Sequence, residues 1–140
     1  MGRRASREVA MKLLYQTEIQ KSDREWQLNF ALENKSFNSK DNKYIRDIVD
    51  GVFNNIEEID LLIEKHAIGW KLNRISKVDL SILRVGIYEI LYRKDIPYNV
   101  SINEAVEMAK KYSTKEAGSF INGILSKIPK FEASSPENDT

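Results

Sequence analysis

Apolar residues return every three or four positions along almost the whole chain, the repeat of one face of an α-helix. The clearest run is Ile45, Ile48, Val49, Val52, Phe53, Ile56, Ile59, Leu62 and Ile63. It predicts one long amphipathic helix, with Gly69 punctuating its end. Glycine (6) and proline (3) are scarce, which disfavours a turn-rich β fold.

The same period recurs on both sides of this run. Ala5, Val9, Ala10, Leu13 and Leu14 mark a first helix. Trp26, Phe30 and Ala31 mark a short second one, opened by a capping-box spacing from Ser22 to Glu25. Residues 34–42 are polar and read as a loop. Ser76, with Asp79 three residues on, opens a helix carrying Leu80, Ile82, Leu83, Val85, Ile87, Ile90 and Leu91. Those positions go most of the way round, so this helix is expected at the centre. Pro97 ends it. Further boxes, Ser101 to Glu104 and Ser113 to Glu116, open two more helices, the last closed by Pro129.

The expectation is an all-α body of roughly six or seven helices, with two packed bundles divided near Trp70. The 140 residues suit a single domain, taken as 1–130, and the polar acidic stretch 131–140 has little to bury and is expected to be disordered. No run of signal-peptide kind follows the N-terminus, and nothing approaches the ~20 apolar residues of a membrane span. The expected location is cytoplasmic. The lack of cysteine suits a reducing compartment.

The catalytic inventory is thin. With one histidine and no cysteine, the usual nucleophile–base pairs and cysteine-ligated zinc are excluded. No glycine-rich phosphate loop and no histidine metal motif occurs. His66, near the end of the long stripe, reads as a core or helix-terminal residue. No cofactor, metal or catalytic residue is expected.

The basic residues are more informative. A formal net charge of +1 means that any nucleic-acid site must come from clustering. Arg3, Arg4, Arg7 and Lys12 surround a single acid, Glu8, at the start of a helix. Cations there oppose the helix dipole, so helix stability does not explain them, whereas an anion would meet both guanidinium groups and free N–H groups. The plain alternative is a basic chain end without a role. Trp70, Lys71, Arg74, Lys77, Arg84 and Phe120 are candidates to join that cluster in space. Trp70 and Phe120 are either core aromatics or platforms on which a base stacks. Gly123 is read as a close-packing position, while Asn122 could bond a loop or face a ligand.

Taken in order, these residues resemble the NusB family of bacterial transcription antitermination factors. The resemblance rests on six pieces: Arg3 to Glu8 with Leu13-Leu14-Tyr15; Trp70 with Arg74-Ile75 and Asp79 to Arg84; Tyr88-Glu89-Ile90; Asp95-Ile96-Pro97; Val100 to Ala105; and Phe120 to Leu125. It covers Arg3 to about Ile128. It implies an all-helical, two-bundle fold. It also implies binding of boxA-type single-stranded RNA together with NusE, a small-subunit ribosomal protein. The pair would join an antitermination complex on RNA polymerase that supports ribosomal RNA transcription. RNA contacts would fall on Arg3, Arg4, Arg7, Arg84 and Phe120, with Trp70 and Arg74 in the stretch that supplies more.

Two rival readings stay open here. NusB-like domains also occur attached to RNA methyltransferases, though this chain has no glycine-rich cofactor unit. A protein-interaction module with an incidental basic end is the other. Monomer and homodimer are both compatible with the sequence.

Overall fold

The computed structural model describes residues 2–20, 23–33 and 37–129. Among them there is no strand. The helices are α1 (Arg3–Gln20), α2 (Arg24–Leu32), α3 (Ser39–Asn54), α4 (Ile56–His66), α5 (Lys77–Tyr92), α6 (Tyr98–Tyr112) and α7 (Lys115–Leu125), with a 3-10 turn at Leu72–Arg74. The expected all-α class is what forms. The stretch from Phe131 onward lies outside the described residues.

The centre is α5, which is buried without interruption from Leu80 to Ile90. It packs on α1, α3 and α4 on one side and on α6 and α7 on the other, so both bundles share it. Close approach is built in by small residues. A Cβ at Gly51 would sit 2.3 Å from the Tyr88 ring, and one at Gly86 would sit 2.9 Å from Leu125. Side chains at either place would hold α5 away from α3 or α7.

Several boundaries depart from the sequence reading. The long stripe is two helices, not one. At Asn55 the side-chain amide donates to the Gly51 carbonyl at 2.8 Å, and the backbone turns to φ −123. This local bond competes with the helical ladder and breaks it there. Part of the expected 34–42 loop is helical from Ser39, because Asn38 and Asp41 form a reciprocal capping box. Ser22 lies outside the described residues, and Asp23 caps α2, accepting from the N–H groups of Glu25 and Trp26. The side of α2 that is buried carries Gln27 and Leu28, while Trp26 and Phe30 stack on each other in solvent at 5.3 Å.

The last two helices also begin elsewhere. α6 starts directly after Pro97, which leaves Ser101 inside the helix and buried. Freed from capping, its hydroxyl donates to Glu89 at 2.8 Å. α7 is capped one residue later than expected, by Thr114, whose hydroxyl accepts from the Ala117 N–H at 2.9 Å. Ser76 does cap α5 through the Asp79 N–H at 3.1 Å. Gly69, at φ +85, does mark the turn beyond α4. His66 sits in the last turn of α4, as the reading allowed.

Candidate nucleic-acid interface

The sequence reading offered Trp70, Lys71, Arg74, Lys77, Arg84 and Phe120 as candidates to join the N-terminal arginines in space; the fold distributes the two groups over different parts of α5. The first turns of α1 lie by Glu89, near the C-terminal end of α5, whereas Trp70, Arg74 and Phe120 lie by Ser76 and Asp79 at its start. Glu89 and Asp79 are separated by roughly 15 Å of helix at 1.5 Å per residue.

At the α1 end, Arg3 lies over the Tyr44 ring at 4.4 Å and makes no hydrogen bond among the described residues. Arg4 is solvent-facing, and its guanidinium forks onto Glu104 of α6 at 2.9 and 2.7 Å. These hydrogen bonds hold the Glu104 carboxyl below its usual range. Together with Pro97 and Val100, Arg3, Arg4 and Arg7 line a cleft of about 270 Å3. Arg7 differs from its neighbours. Its side chain is 3% exposed and binds Glu89 at 2.8 and 3.2 Å. Glu89 also accepts from Ser101 and from the Tyr44 hydroxyl. Burial, together with the adjoining Glu89, raises the Tyr44 hydroxyl far above its usual value, so it stays a donor. The Arg7 guanidinium is thus spent inside the protein.

Arg84 is spent in the same way. Its side chain, 8% exposed, bonds Asp60 at 3.0 and 2.9 Å and Glu18 at 3.1 Å, tying α4 and α1 to α5. Both guanidinium groups, which the sequence reading offered as RNA contacts, are buried and paired within the protein. Lys71 and Lys77 line a separate polar cleft of about 380 Å3 beside Glu18 and Glu64. Lys77 reaches Glu18 at 3.5 Å.

Between the two ends runs the seam of α1 and α6. Lys12 lies over the Tyr112 ring at 4.9 Å, and Lys111 lies 5.3 Å from the same ring. Glu8 accepts from Lys111 at 3.1 Å and from the Tyr112 hydroxyl at 2.8 Å. Burial pushes the Glu8 carboxyl up, but these bonds outweigh it and hold it low. Lys111 was not among the candidate site residues of the sequence, and Tyr112 read only as an apolar position of its helix. Two lysines in the last turn of a helix suit its dipole, so they drew no functional reading. The signal was the tyrosine beside them.

From Tyr112 the chain passes through Thr114 into an open cavity of about 310 Å3 at the head of α5 and α7. Trp70 and Phe120 form its aromatic wall, edge to face at 5.9 Å and 63°. Trp70 is 53% exposed, while Phe120 is partly buried and packs against the core. The Arg74 side chain, at the rim, makes no hydrogen bond or ion pair among the described residues. Asn122 is exposed on α7 beyond Phe120. The expectation that a helix packs against Gly123 fails, since a Cβ there would meet nothing within 4 Å.

No helix among the described residues is long and apolar enough to cross a membrane, and no group of three or more potential metal-ligating side chains occurs there. The class defined is an all-helical two-bundle domain, with surface cations and an aromatic cavity strung along one seam.

Residues 4–130 match the NusB family, and the chain belongs to it. The transcription antitermination protein NusB of Ruminiclostridium cellulolyticum is 64% identical over 130 residues, 93% of this chain and 90% of that protein. T. maritima NusB superimposes with a TM-score of 0.89 at 38% identity, covering 100% of this chain and 99% of the other. A crystal structure of antitermination factors NusB and NusE in complex with dsRNA contains a chain with a TM-score of 0.82 at 30% identity, covering 94% and 97%.

Proposed function

We propose that this chain is an RNA-binding transcription antitermination factor of the cytoplasm. It binds boxA-type single-stranded RNA jointly with NusE, and the pair acts on RNA polymerase complexes to support ribosomal RNA transcription. It works by binding and carries out no reaction of its own. The observation that carries the reading is the aromatic pair of exposed Trp70 and partly buried Phe120, walling an open cavity with the free Arg74 guanidinium at its rim. Unpaired bases are recognised by such stacking, with cations on the phosphates.

Support comes from family membership and from a relative solved with NusE and RNA. The proposed RNA contacts are Arg3, Arg4, Lys12, Lys111, Tyr112, Trp70, Arg74, Phe120 and Asn122. Arg7 and Arg84 position the helices beneath. Lys71 and Lys77 border the same end and add positive potential.

The test is binding of a boxA-type RNA and a scrambled control, with and without NusE, across a salt series. Preference for boxA that strengthens with NusE is expected. Trp70→Ala and Phe120→Ala should each weaken binding by about 1–3 kcal/mol, and an Arg3→Ala/Arg4→Ala pair should flatten the salt slope. No preference for boxA with NusE present would overturn the reading.

A further inference from the structure

Three guanidinium groups gather at the ring of Tyr44. Arg3 lies 4.4 Å from its centroid, Arg93 5.3 Å and Arg7 5.9 Å. All three lie inside the ~6 Å reach of cation–π attraction. Two of them are committed elsewhere as well. Arg7 is paired with Glu89, and Arg93 with Asp47 and Asp95. Arg3 makes no ion pair or hydrogen bond among the described residues. Asp95 feels its charge, but Arg93 already holds both Asp95 oxygens, at 2.9 and 2.8 Å.

The ring is fixed from below. Tyr44 is 2% exposed, and its hydroxyl donates to the buried carboxylate of Glu89. The same carboxylate holds Arg7 of α1 and Ser101 of α6. Arg3, by contrast, is the first residue of α1, where a helix frays and a long side chain has rotamers to lose. Attraction to a ring uses the charge of a guanidinium and takes none of its N–H donors. Arg4 shows the contrast. Its fork is filled by Glu104 at 2.9 and 2.7 Å and must be emptied before a phosphate can enter. Arg3 is held with its fork empty, on the wall of the cleft that it shares with Arg4.

We propose that Tyr44 is a positioning residue for RNA binding: its ring holds the Arg3 guanidinium in place to receive a phosphate of the strand. The inference rests on the RNA-binding reading above. Tyr44 itself does not touch RNA. It acts by removing beforehand the freedom that Arg3 would otherwise lose on binding. The chain of contacts runs from Glu89 in the core, through the Tyr44 ring, to Arg3 at the surface.

The test measures binding of a boxA-type RNA with NusE present to wild type, Tyr44→Phe, Tyr44→Leu, Arg3→Ala and the Tyr44→Leu/Arg3→Ala pair. Tyr44→Phe keeps the ring, so its affinity should stay within about twofold of wild type. It gives up the bond to Glu89, so its melting temperature should fall. Tyr44→Leu should bind about three- to tenfold more weakly, the effect of having to order one long side chain. The same change made in Arg3→Ala should lower affinity no further. A merely structural role would weaken binding in both backgrounds, and Tyr44→Phe would lose affinity along with stability. Should Tyr44→Leu melt below the assay temperature, phenylalanine with one, two or three ring fluorines at position 44 keeps the shape and weakens the negative face. Affinity should then fall with each fluorine while Arg3 is present and stay level in Arg3→Ala. Equal loss in both backgrounds, or a folded Tyr44→Leu or an Arg3→Ala protein that binds like wild type, overturns this inference while RNA binding stands. Wild-type protein that does not prefer boxA RNA to a scrambled control with NusE present overturns the RNA-binding reading and this inference with it.

Discussion

Arg7 and Glu89 form a buried ion pair, Nε to Oε2 at 2.8 Å and Nη2 to Oε1 at 3.2 Å, with side chains 3% and 1% exposed. Burial disfavours the Arg7 charge, yet the bond to Glu89 more than compensates and keeps it protonated. The remaining capacity of Glu89 is taken by the Tyr44 hydroxyl and Ser101. The pair therefore joins α1, α3, α5 and α6 at one point. Removing Arg7 alone would leave a buried carboxylate without its cation. Arg7→Ala should lose about 3–5 kcal/mol of unfolding free energy in urea titrations. Arg7→Met with Glu89→Leu should recover much of that loss. If Arg7 met RNA directly, its alanine variant would instead fold normally and lose affinity.

Arg4 behaves differently because its partner competes with RNA. Its guanidinium fork is filled by Glu104, and a phosphate needs that same fork. Glu104→Gln should raise RNA affinity severalfold. It should also steepen the dependence of log affinity on log salt by about 0.7, the value of one phosphate contact on a single strand. Filter binding at several salt concentrations reads both. Unchanged affinity would mean that Arg4 does not touch RNA.

The acid response follows from Glu8 and Glu104. The hydrogen bonds from Arg4 lower Glu104, and those from Tyr112 and Lys111 lower Glu8 against the opposing effect of burial, so both lie below their unperturbed value of 4.5. Groups lowered on folding bind fewer protons in the native state. Their contribution is complete above the unperturbed value and is lost as pH falls through the native ones. Melting temperature should therefore drop below about pH 4.5, and Glu8→Gln with Glu104→Gln should make that drop shallower. Asp95, lowered to about 2 by its bonds from Arg93, persists to still lower pH.

His66 adds an earlier step of the same sign. Burial, with help from Lys65 and Lys127, lowers its pKa below 6.5. Protonation therefore opposes folding, and stability should decline slightly as pH falls through the range just below 6.5. His66→Gln should remove that early decline and leave the carboxylate step in place, as followed by circular dichroism melts.

The fold was legible because helical periodicity is local. Apolar positions going most of the way round α5 announced a central helix, and it is buried from Leu80 to Ile90. What failed were rules that depend on which polar partner wins. Ser101 has the spacing of a cap, but Pro97 had already started the helix, and Glu89 claimed the hydroxyl. Asn55 breaks the long stripe through a bond to Gly51 that apolar spacing cannot register. The candidate site was legible by residue type and not by place. Arg7 and Arg84 carry the same charge as Arg3 and Arg4, and only the positions of Glu89, Asp60 and Glu18 separate buried anchors from surface cations. Lys111 passed as an ordinary helix-end charge, because nothing in one dimension says that its ammonium meets Glu8 of α1.

The position of α5 has a consequence for how the chain can be divided. Each bundle uses it as one of its own walls, so neither half has a complete interior without it. A cut near Trp70 would leave α1 to α4 as an unclosed shell. The Arg3 cleft and the Trp70 cavity are joined both through α5 and through the packing of α6 on α7.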